Sequence, residues 1–439
     1  MKAPDHLKIS GPEDILGFIP HSLGYWPAHS LVAITMQGTR LGATLRVDLP
    51  GSAGGPGRSG PARPVAFART VASYLAADDA ADGSLLAFFT ETDGDGARWA
   101  PLLAELEDTL AGAGMPVRDA WLVGSGYWRN AYCLDPLCCA PPGRPVEEIR
   151  NSRLNAEMVF RGSTVGPAPG TTSSRARTGA PDPAVLEAQR DWAGQFAART
   201  RDKLQFSQVL AVWTQVIDAP APGPTLAAGL TGYLRASLCV PSWRDAVLVM
   251  AAAGQAAAER GAEDFGVFAA AAACSPPATV CATRTPAPLP PLEGFPGERQ
   301  SQRPEPDGGQ RPDQESRGGG AGRDRAAQQL PELPGYGEIL LGLAPRLPDW
   351  AAMAGLDRVL EQLAAAGGEA AAAALTGQGW IEWCRGKGSF ADALFSRANE
   401  EHPGYRLAEL LAELVRRGTL CGWAGRRETA WQRFALDGT

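Results

Sequence analysis

Residues 31–49 read LVAITMQGTRLGATLRVDL. The run from Leu31 to Met36 is almost continuously apolar, which is typical of a strand whose two faces are both covered. The turn sequence Gln37–Arg40 leads into a second run, Ala43–Leu49, and the two runs predict a β-hairpin. We therefore expect the first part of the chain to contain a sheet with helices packed against it.

The sequence around this hairpin predicts alternating helices and strands. Upstream, Ser10 followed by Glu13 is a capping-box pattern and Pro12 suits a first helical turn, so a helix should run to about Ile19. Downstream, the predicted elements are helix 65–81, strand 85–89, helix 99–110 and strand 120–123. Strands joined through helices form right-handed crossovers in a partly parallel sheet. The sequence therefore predicts an α/β domain over residues 1–150, with a mixed, partly parallel sheet and flanking helices.

The rest of the chain predicts an all-helical region. Helical patterns fill residues 184–275, with individual helices expected at 186–203, 206–217 and 243–260. Residues 282–334 are dense in Pro, Gly, Arg, Gln and Asp and almost lack aromatic residues. Such a composition buries too little apolar area to offset the loss of chain entropy, so we predict a disordered linker. A second helical block is expected at residues 336–435.

The composition excludes several classes of protein. The net charge of −7 comes from 41 basic and 48 acidic side chains. A mildly acidic surface does not attract polyanionic phosphate, so we expect no nucleic-acid partner. No stretch offers the roughly 20 strongly apolar residues of a membrane span, and the first residues do not resemble a signal peptide. Eight cysteines in such a chain indicate reduced thiols. The sequence thus predicts a soluble, cytoplasmic protein without a membrane partner.

A pattern in the C-terminal block is typical of a tetratricopeptide repeat (TPR). In that repeat small residues let two antiparallel helices approach, an aromatic side chain fills the gap and a proline ends the second helix. The residues at matching positions are Gly379, Gly386, Ala391, Phe395, Ala398 and Pro403. No matching repeat lies about 34 residues upstream, so an ordinary helical hairpin is favoured over a partner-binding groove. In both interpretations the block contains TPR-like helical hairpins.

A cysteine cluster follows the last predicted strand of the sheet. Cys133, Cys138 and Cys139 lie within seven residues, and thiolates are preferred zinc ligands. The C-x4-C-C spacing differs from the usual C-x2-C of zinc sites, and no fourth ligand is evident. Redox or disulfide chemistry is a second interpretation. We favour a third, packing of the turn, and expect no cofactor, with zinc as the alternative.

The loop before this cluster is a candidate ligand site. Residues 124–129, GSGYWR, follow a predicted strand, and ligands often bind beyond the carboxyl ends of such strands. Arg129 could hold an anion, Tyr127 and Trp128 could flank a ring, and Asp135 adds a polar group nearby. The loop lacks a phosphate-binding glycine pattern, so a capping role is the favoured interpretation.

Short motifs along the chain form a further pattern. They are ISGPEDIL at 9–16, Pro20, LGY at 23–25, Pro27, SLV at 30–32, LRVDLP at 45–50, WR at 128–129, YC at 132–133, DP at 135–136, CC at 138–139, PG at 142–143, WRDA at 243–246 and AELL at 408–411. This set resembles the actinobacterial domain of unknown function 4192 over most of the chain outside the linkers. The resemblance implies a cytoplasmic actinobacterial protein and brings no catalytic residues with it. The sequence departs from the family at Asn130, where serine is usual, and in residues 282–334.

Two hypotheses for function follow. No nucleophile elbow, zinc-protease helix or Walker sequence is recognisable. The favoured hypothesis is a non-catalytic interaction or regulatory protein that binds a protein partner through residues 336–435. The alternative is an enzyme or small-molecule-binding α/β domain with its site near residues 124–139.

Overall fold

The computed structural model of the protein describes most of the chain. The described residues are 8–50, 64–93, 96–133, 135, 139, 141–170, 181–221, 225–268, 285–292 and 335–431. The chain divides into two compact units. Unit 1 comprises Met1–Ala176, Gly386–Ala393 and Ala424–Thr439, and unit 2 comprises Arg177–Arg385 and Leu394–Trp423.

Unit 1 contains a mixed sheet with helices. Its described elements are α1 Pro12–Leu23, β1 Ser30–Gln37, β2 Arg40–Asp48, α2 Pro64–Leu75, β3 Gly83–Phe89, α3 Gly96–Gly112, β4 Val117–Val123, β5 Tyr127–Asn130, β6 Arg144–Pro145, α4 Glu147–Arg150 and α5 Arg153–Phe160. α5 lies beyond residue 150, the predicted end of the first domain.

The described strands form one sheet in the order β2-β1-β3-β4-β5-β6. β3 and β4 are parallel, and the other neighbouring pairs are antiparallel. The β1–β2 hairpin pairs Ser30 with Asp48, which confirms the predicted hairpin and the mixed, partly parallel sheet. β5 and β6 were not predicted from the sequence, because runs of four and two residues are too short to show a hydrophobic period.

Helices cover both faces of the sheet, because its central strands are apolar on both sides; β3 is buried at every position. Alternate strand residues pack with α2 and α3 in one core. They are Leu31, Ala33, Leu86, Phe88, Ala120 and Leu122. The intervening residues pack with α1 and α4 in a second core. They are Val32, Ile34, Leu85, Ala87, Phe89, Trp121 and Val123.

α1 differs from the prediction at both ends. Its N-cap is Gly11, and the backbone N–H of Ser10 donates to Asp14 Oδ2 at 2.9 Å. The carboxylate of Asp14 therefore takes the place of the expected Ser10–Glu13 capping box. The helix continues to Leu23 and ends at Gly24, whose φ of 92° is the left-handed conformation that favours glycine.

Unit 2 is helical. Its described helices are α6 Pro183–Ala197, α7 Lys203–Ile217, α8 Ala228–Leu238, α9 Pro241–Ala253, α10 Gln255–Asp264, α11 Tyr336–Leu340, α12 Trp350–Ala364, α13 Gly368–Cys384, α14 Gly388–Glu401 and α15 Arg406–Arg416. The first residues of α14, up to Ala393, are assigned to unit 1 and the rest to unit 2. The predicted single helix 243–260 is two helices, because Gly254 adopts a φ of 86° between α9 and α10.

No described helix combines the length and apolar composition needed to cross a bilayer. The predicted fold class, a mixed α/β sheet followed by a helical region, is confirmed.

Part of the predicted linker is packed. Residues 285–292 are described, and within them Ala287 is buried against α7. Over these eight residues the structure differs from the predicted disordered linker; the remaining residues, 282–284 and 293–334, lie outside the described part of the chain. Proline-rich segments lose little conformational entropy on ordering, so a small buried area is sufficient to hold this one.

Candidate functional site

The predicted ligand loop lies at the carboxyl end of the parallel pair β3–β4. Asp93, in the loop after β3, holds the turn: its Oδ1 accepts the backbone N–H of Gly126 at 3.0 Å and of Tyr127 at 3.1 Å. A Cβ at Gly124 would lie 2.1 Å from the same oxygen. Glycine is therefore required at position 124, because a Cβ there would block the Asp93 carboxylate. The hydrogen bonds to this carboxylate hold the backbone of the turn in place.

An imidazole–carboxylate pair lies at the same edge of the sheet. His29 precedes β1, whose first residue pairs with Phe89 at the end of β3. The His29 Nε2 lies 2.5 Å from Glu91 Oε1, and both side chains are exposed. His29 has a φ of 48°, a backbone conformation that residues other than glycine rarely adopt. Strand pairing brings these residues together, so the pair cannot be recognised from their spacing along the chain.

β5 separates the side chains that were predicted to hold a ligand. Trp128 is buried in the core with α1, while Arg129 is half-buried opposite Leu122, whose side chain faces α2 and α3. Tyr127 is exposed at the start of the strand. Because neighbouring strand residues face opposite sides, Tyr127 and Trp128 do not flank a common ring. The buried Arg129 Nε has no hydrogen-bond partner among the described residues.

Asn130 organises the start of the cysteine loop, which connects β5 and β6. Its Oδ1 accepts the N–H groups of Tyr132 at 2.8 Å and Cys133 at 3.2 Å. Its Nδ2 donates to Asp119 Oδ1 at 2.5 Å. A serine hydroxyl has one donor and is shorter, so it could not make all three bonds in this geometry. The residue that departs from the family resemblance thus positions the loop.

The cysteines are only partly described. Cys133 is half-buried and Cys139 is buried, whereas Cys138 lies outside the described residues. Asp135 is exposed, and its carbonyl accepts the Cys139 N–H at 2.9 Å. Within the parts of the chain that the structure covers, no three His, Cys, Asp or Glu side chains gather as a metal site requires.

The cysteine loop and the Gly124 turn lie at opposite ends of the β4–β5 pairing and do not form one site. β5 runs antiparallel to β4, so the chain leaves the carboxyl edge of the sheet at Tyr127 and travels back along β4. The loop begins where the Ala131 N–H donates to the Ala120 carbonyl at 2.8 Å. The structure therefore places Tyr127 and Cys133 at different levels of the sheet.

An open cleft of about 590 Å³ lies beside the first turn of α1. The Arg144 guanidinium lies 4.7 Å from the Trp128 ring centroid, 2.6 Å from Glu148 and 3.7 Å from Glu13. The charged lining residues are Glu13, Asp14, Arg144, Glu147, Glu148 and Arg153. This cleft was not predicted from the sequence, although three of its lining residues belong to the ISGPEDIL motif.

Two buried polar side chains join α1 to α5 and the chain that follows it. Asp14 is 2% exposed, and its Oδ1 accepts the Leu154 N–H at 3.0 Å. His21 is fully buried, with its Nδ1 2.8 Å from Ser163 Oγ and its Nε2 2.7 Å from Asn155 Oδ1. Both groups are satisfied within unit 1, so they stabilise the fold rather than serve a ligand.

In the C-terminal block, the TPR-type pattern places its aromatic residue against its glycine. α14 follows α13 through a short turn in which Gly386 has a φ of 78°. Phe395 is fully buried, and a Cβ at Gly379 would lie 2.4 Å from its ring. α12 and α13 also pack against each other, and Gly377 faces Leu360 there.

Two segments of unit 2 cross with their backbones in contact, and exposed leucines flank the crossing along the two segments. The Gly422 N–H donates to the carbonyl of residue 341 at 3.0 Å. A Cβ at Gly342 would lie 2.2 Å from Cys421 Sγ, and one at Gly422 would lie 2.5 Å from the Gly342 carbonyl. The leucine patch consists of Leu341, Leu343 and Leu420, which are 40%, 55% and 43% exposed.

Comparison with known proteins identifies a family without indicating an activity. No curated protein and no solved structure matches the chain. The model of one family, described as a domain of unknown function, matches residues 12–283 and 347–420. These ranges cover the sheet of unit 1 and most of the helices of unit 2. The chain therefore belongs to the DUF4192 family.

Proposed function

We propose that the chain is a non-catalytic protein-interaction protein of the cytoplasm, and that a partner protein binds residues 336–435. The leucine patch is the observation that carries this proposal. Exposed apolar side chains that cluster on a rigid backbone are typical of protein-binding surfaces. The close Gly342–Gly422 crossing fixes the backbone beneath the patch, so little ordering entropy is lost on binding.

The side chains near the patch indicate the chemistry of the partner. Arg346 and Arg417 are exposed and lie three residues from Leu343 and Leu420 in the sequence. Because Arg417 forms an ion pair with Glu413 at 2.7 Å, the rim has mixed charge, and the patch favours a partner segment with an apolar centre. The thiols of Cys384 and Cys421 are fully buried and hydrogen-bonded to each other, and this supports a reducing compartment.

Affinity capture with the full chain tests the proposal. We expect Leu343→Glu combined with Leu420→Glu to abolish capture of the partner, because two charges would be buried at the interface. Phe160→Glu, at an 88% exposed position of unit 1, is the matched control and should capture the partner normally. Equal capture by both variants would contradict the proposal.

The cleft beside α1 favours a second function, binding of a small molecule by unit 1. Carboxylates outnumber guanidinium groups in its lining, so a ligand with a cationic group fits best. A thermal-shift screen of amines should show stabilisation that is lost in Glu147→Gln and retained in Cys133→Ala. A screen in which Glu147→Gln behaves like the unaltered protein would contradict this function.

A further inference from the structure

A proline-rich segment, the strap, is seated on the helices of unit 2. It comprises residues 285–292, TPAPLPPL. Proline fixes its own φ and excludes the residue before it from the helical region, so the four prolines impose a polyproline II (PPII) conformation. This helix has three residues per turn. Ala287 and Pro290, three residues apart, are buried, whereas Pro288, Leu289 and Pro291 are exposed. The burial of the strap thus follows the period of its helix.

Three side chains of unit 2 hold the backbone of the strap. Gln205 Oε1 accepts the Ala287 N–H at 2.7 Å, and Gln208 Nε2 donates to the Ala287 carbonyl at 2.8 Å. Arg199 Nε donates to the Thr285 carbonyl at 3.2 Å. All three bonds are made to main-chain atoms. These bonds therefore select an extended backbone and no particular side chain. The burial of Ala287 adds the requirement for a small residue at that position.

The strap uses the amide oxygen of Gln205 and leaves the amide nitrogen, which carries two N–H donors, without an acceptor within the strap. Gln205 is fully buried, and its Nε2 has no hydrogen-bond partner within the described residues. An unpaired buried amide donor destabilises the folded state. The strap needs an acceptor for the Ala287 N–H at this position, which an apolar side chain would not provide, but it offers no acceptor to the Gln205 amide nitrogen. The unpaired Gln205 amide nitrogen points to a second occupant of the groove, whose backbone supplies a carbonyl oxygen that accepts from it.

We propose that Arg199, Gln205 and Gln208 form a binding groove for proline-rich protein segments in the PPII conformation. The strap is its internal ligand. A partner segment with a small residue followed three positions later by proline competes for the same groove. PPII segments suit this role because they are extended before binding and lose little entropy. Attachment to the chain gives the strap a high effective concentration, so it limits access to the groove. The groove is separate from the leucine patch, so this proposal is independent of the proposed function.

Fluorescence anisotropy with a labelled TPAPLPPL peptide tests the proposal. The receptor is the full chain with residues 285–292 replaced by eight alternating Gly and Ser residues. We expect this variant to bind the peptide at least roughly tenfold more tightly than the unaltered chain, in which the strap competes. Adding Gln205→Ala and Gln208→Ala should weaken binding by roughly tenfold or more. A peptide with Ala287→Trp should not bind, because the buried position admits only a small side chain.

Two checks make the result decisive. Circular dichroism and thermal unfolding establish that the replaced variant is folded, and a folded variant that fails to bind the peptide at about 1 mM overturns the proposal. Hydrogen exchange on the unaltered chain gives a second test that does not require the replacement. Excess peptide should speed exchange of the Ala287 amide by displacing the strap. No change in that rate overturns the proposal, and faster exchange with the Ala287→Trp peptide does so too.

Discussion

Burial suppresses the reactivity of two thiols in unit 2. Burial, together with the hydrogen bond that the Cys384 thiol makes to Cys421, raises the pKa of the fully buried Cys384 well above its usual value. Burial also raises the pKa of the Cys239 thiol to about 11, with a smaller contribution from Glu369. At pH 8 roughly one Cys239 thiol in a thousand is then ionised, and only the thiolate is nucleophilic.

We expect Cys239 and Cys384 to resist iodoacetamide at pH 8 for as long as the protein is folded, because both are deprived of thiolate. The half-buried Cys133 should be alkylated first. Mass spectrometry of tryptic peptides gives the labelled fraction of each cysteine. In urea all three should react alike. Alkylation of Cys384 as fast as Cys133 in the native protein would refute this prediction.

Asp78 makes the β1–β2 hairpin sensitive to pH. Burial alone would raise its pKa, but hydrogen bonds from Thr35, Ala43 and Gln37 outweigh burial and lower the pKa below its usual value. The ionised form is therefore favoured in the folded state. Its stabilising contribution is complete above the unfolded pKa of about 3.8 and is lost as the pH falls through the lower, folded pKa.

Replacement of Asp78 by asparagine should lower the melting temperature by about 1–3 °C at pH 7. Because the carboxylate is protonated in acid, the difference from the unaltered protein should shrink below pH 3.8. Thermal unfolding followed between pH 2 and pH 7 measures it. Asp79→Asn, at the exposed neighbour, is the control. A difference that stays constant down to pH 2 would show that the hydrogen bonds do not depend on the charge.

Among the elements, the helix pair α13–α14 depends on one glycine. A methyl group at Gly379 would overlap the Phe395 ring, which is fully buried and has no room to retreat. We expect Gly379→Ala to lower the free energy of unfolding by about 1–3 kcal/mol, as overpacking does. Urea unfolding measures the change. Adding Phe395→Leu, which vacates the overlap, should recover part of it.

Gly194 in α6 provides the matched control, because a Cβ there would meet nothing within 4 Å. Gly194→Ala should stabilise the protein by about 0.5–1 kcal/mol through helix propensity alone. If Gly379→Ala were also stabilising, the α13–α14 contact would not be as close as described.

The elements that the sequence predicted are those with a clear apolar pattern, which is continuous in β1 and β3 and helically spaced in α3. β1, β3 and α3 each bury a regular set of side chains, so their positions followed from local sequence. β5 is too short to show a period, and the break between α9 and α10 rests on the backbone conformation of Gly254. The candidate sites were harder to predict. Strand pairing joins His29 to Glu91, and the cleft beside α1 combines residues more than 100 positions apart.

For the molecule as a whole, the strap moves the expected protease-sensitive region towards the C-terminus. Residues 285–292 are packed, so the composition that predicts a disordered linker now applies to 293–334. Limited trypsin digestion should cut first at arginines between Arg299 and Arg325, giving two protease-resistant fragments. The strap should stay with the N-terminal fragment in mass spectrometry. First cuts within residues 1–150 would overturn this organisation.

The crossing of Gly342 and Gly422 sets an order of events during synthesis. The two positions are about 80 residues apart in the chain, and a ribosome that adds about 5–20 residues per second needs roughly 4–16 s to make the intervening stretch. Over that interval Leu341 and Leu343 have been made but the segment they rest on has not. The nascent chain therefore carries these leucines for several seconds before the segment that supports them has been made.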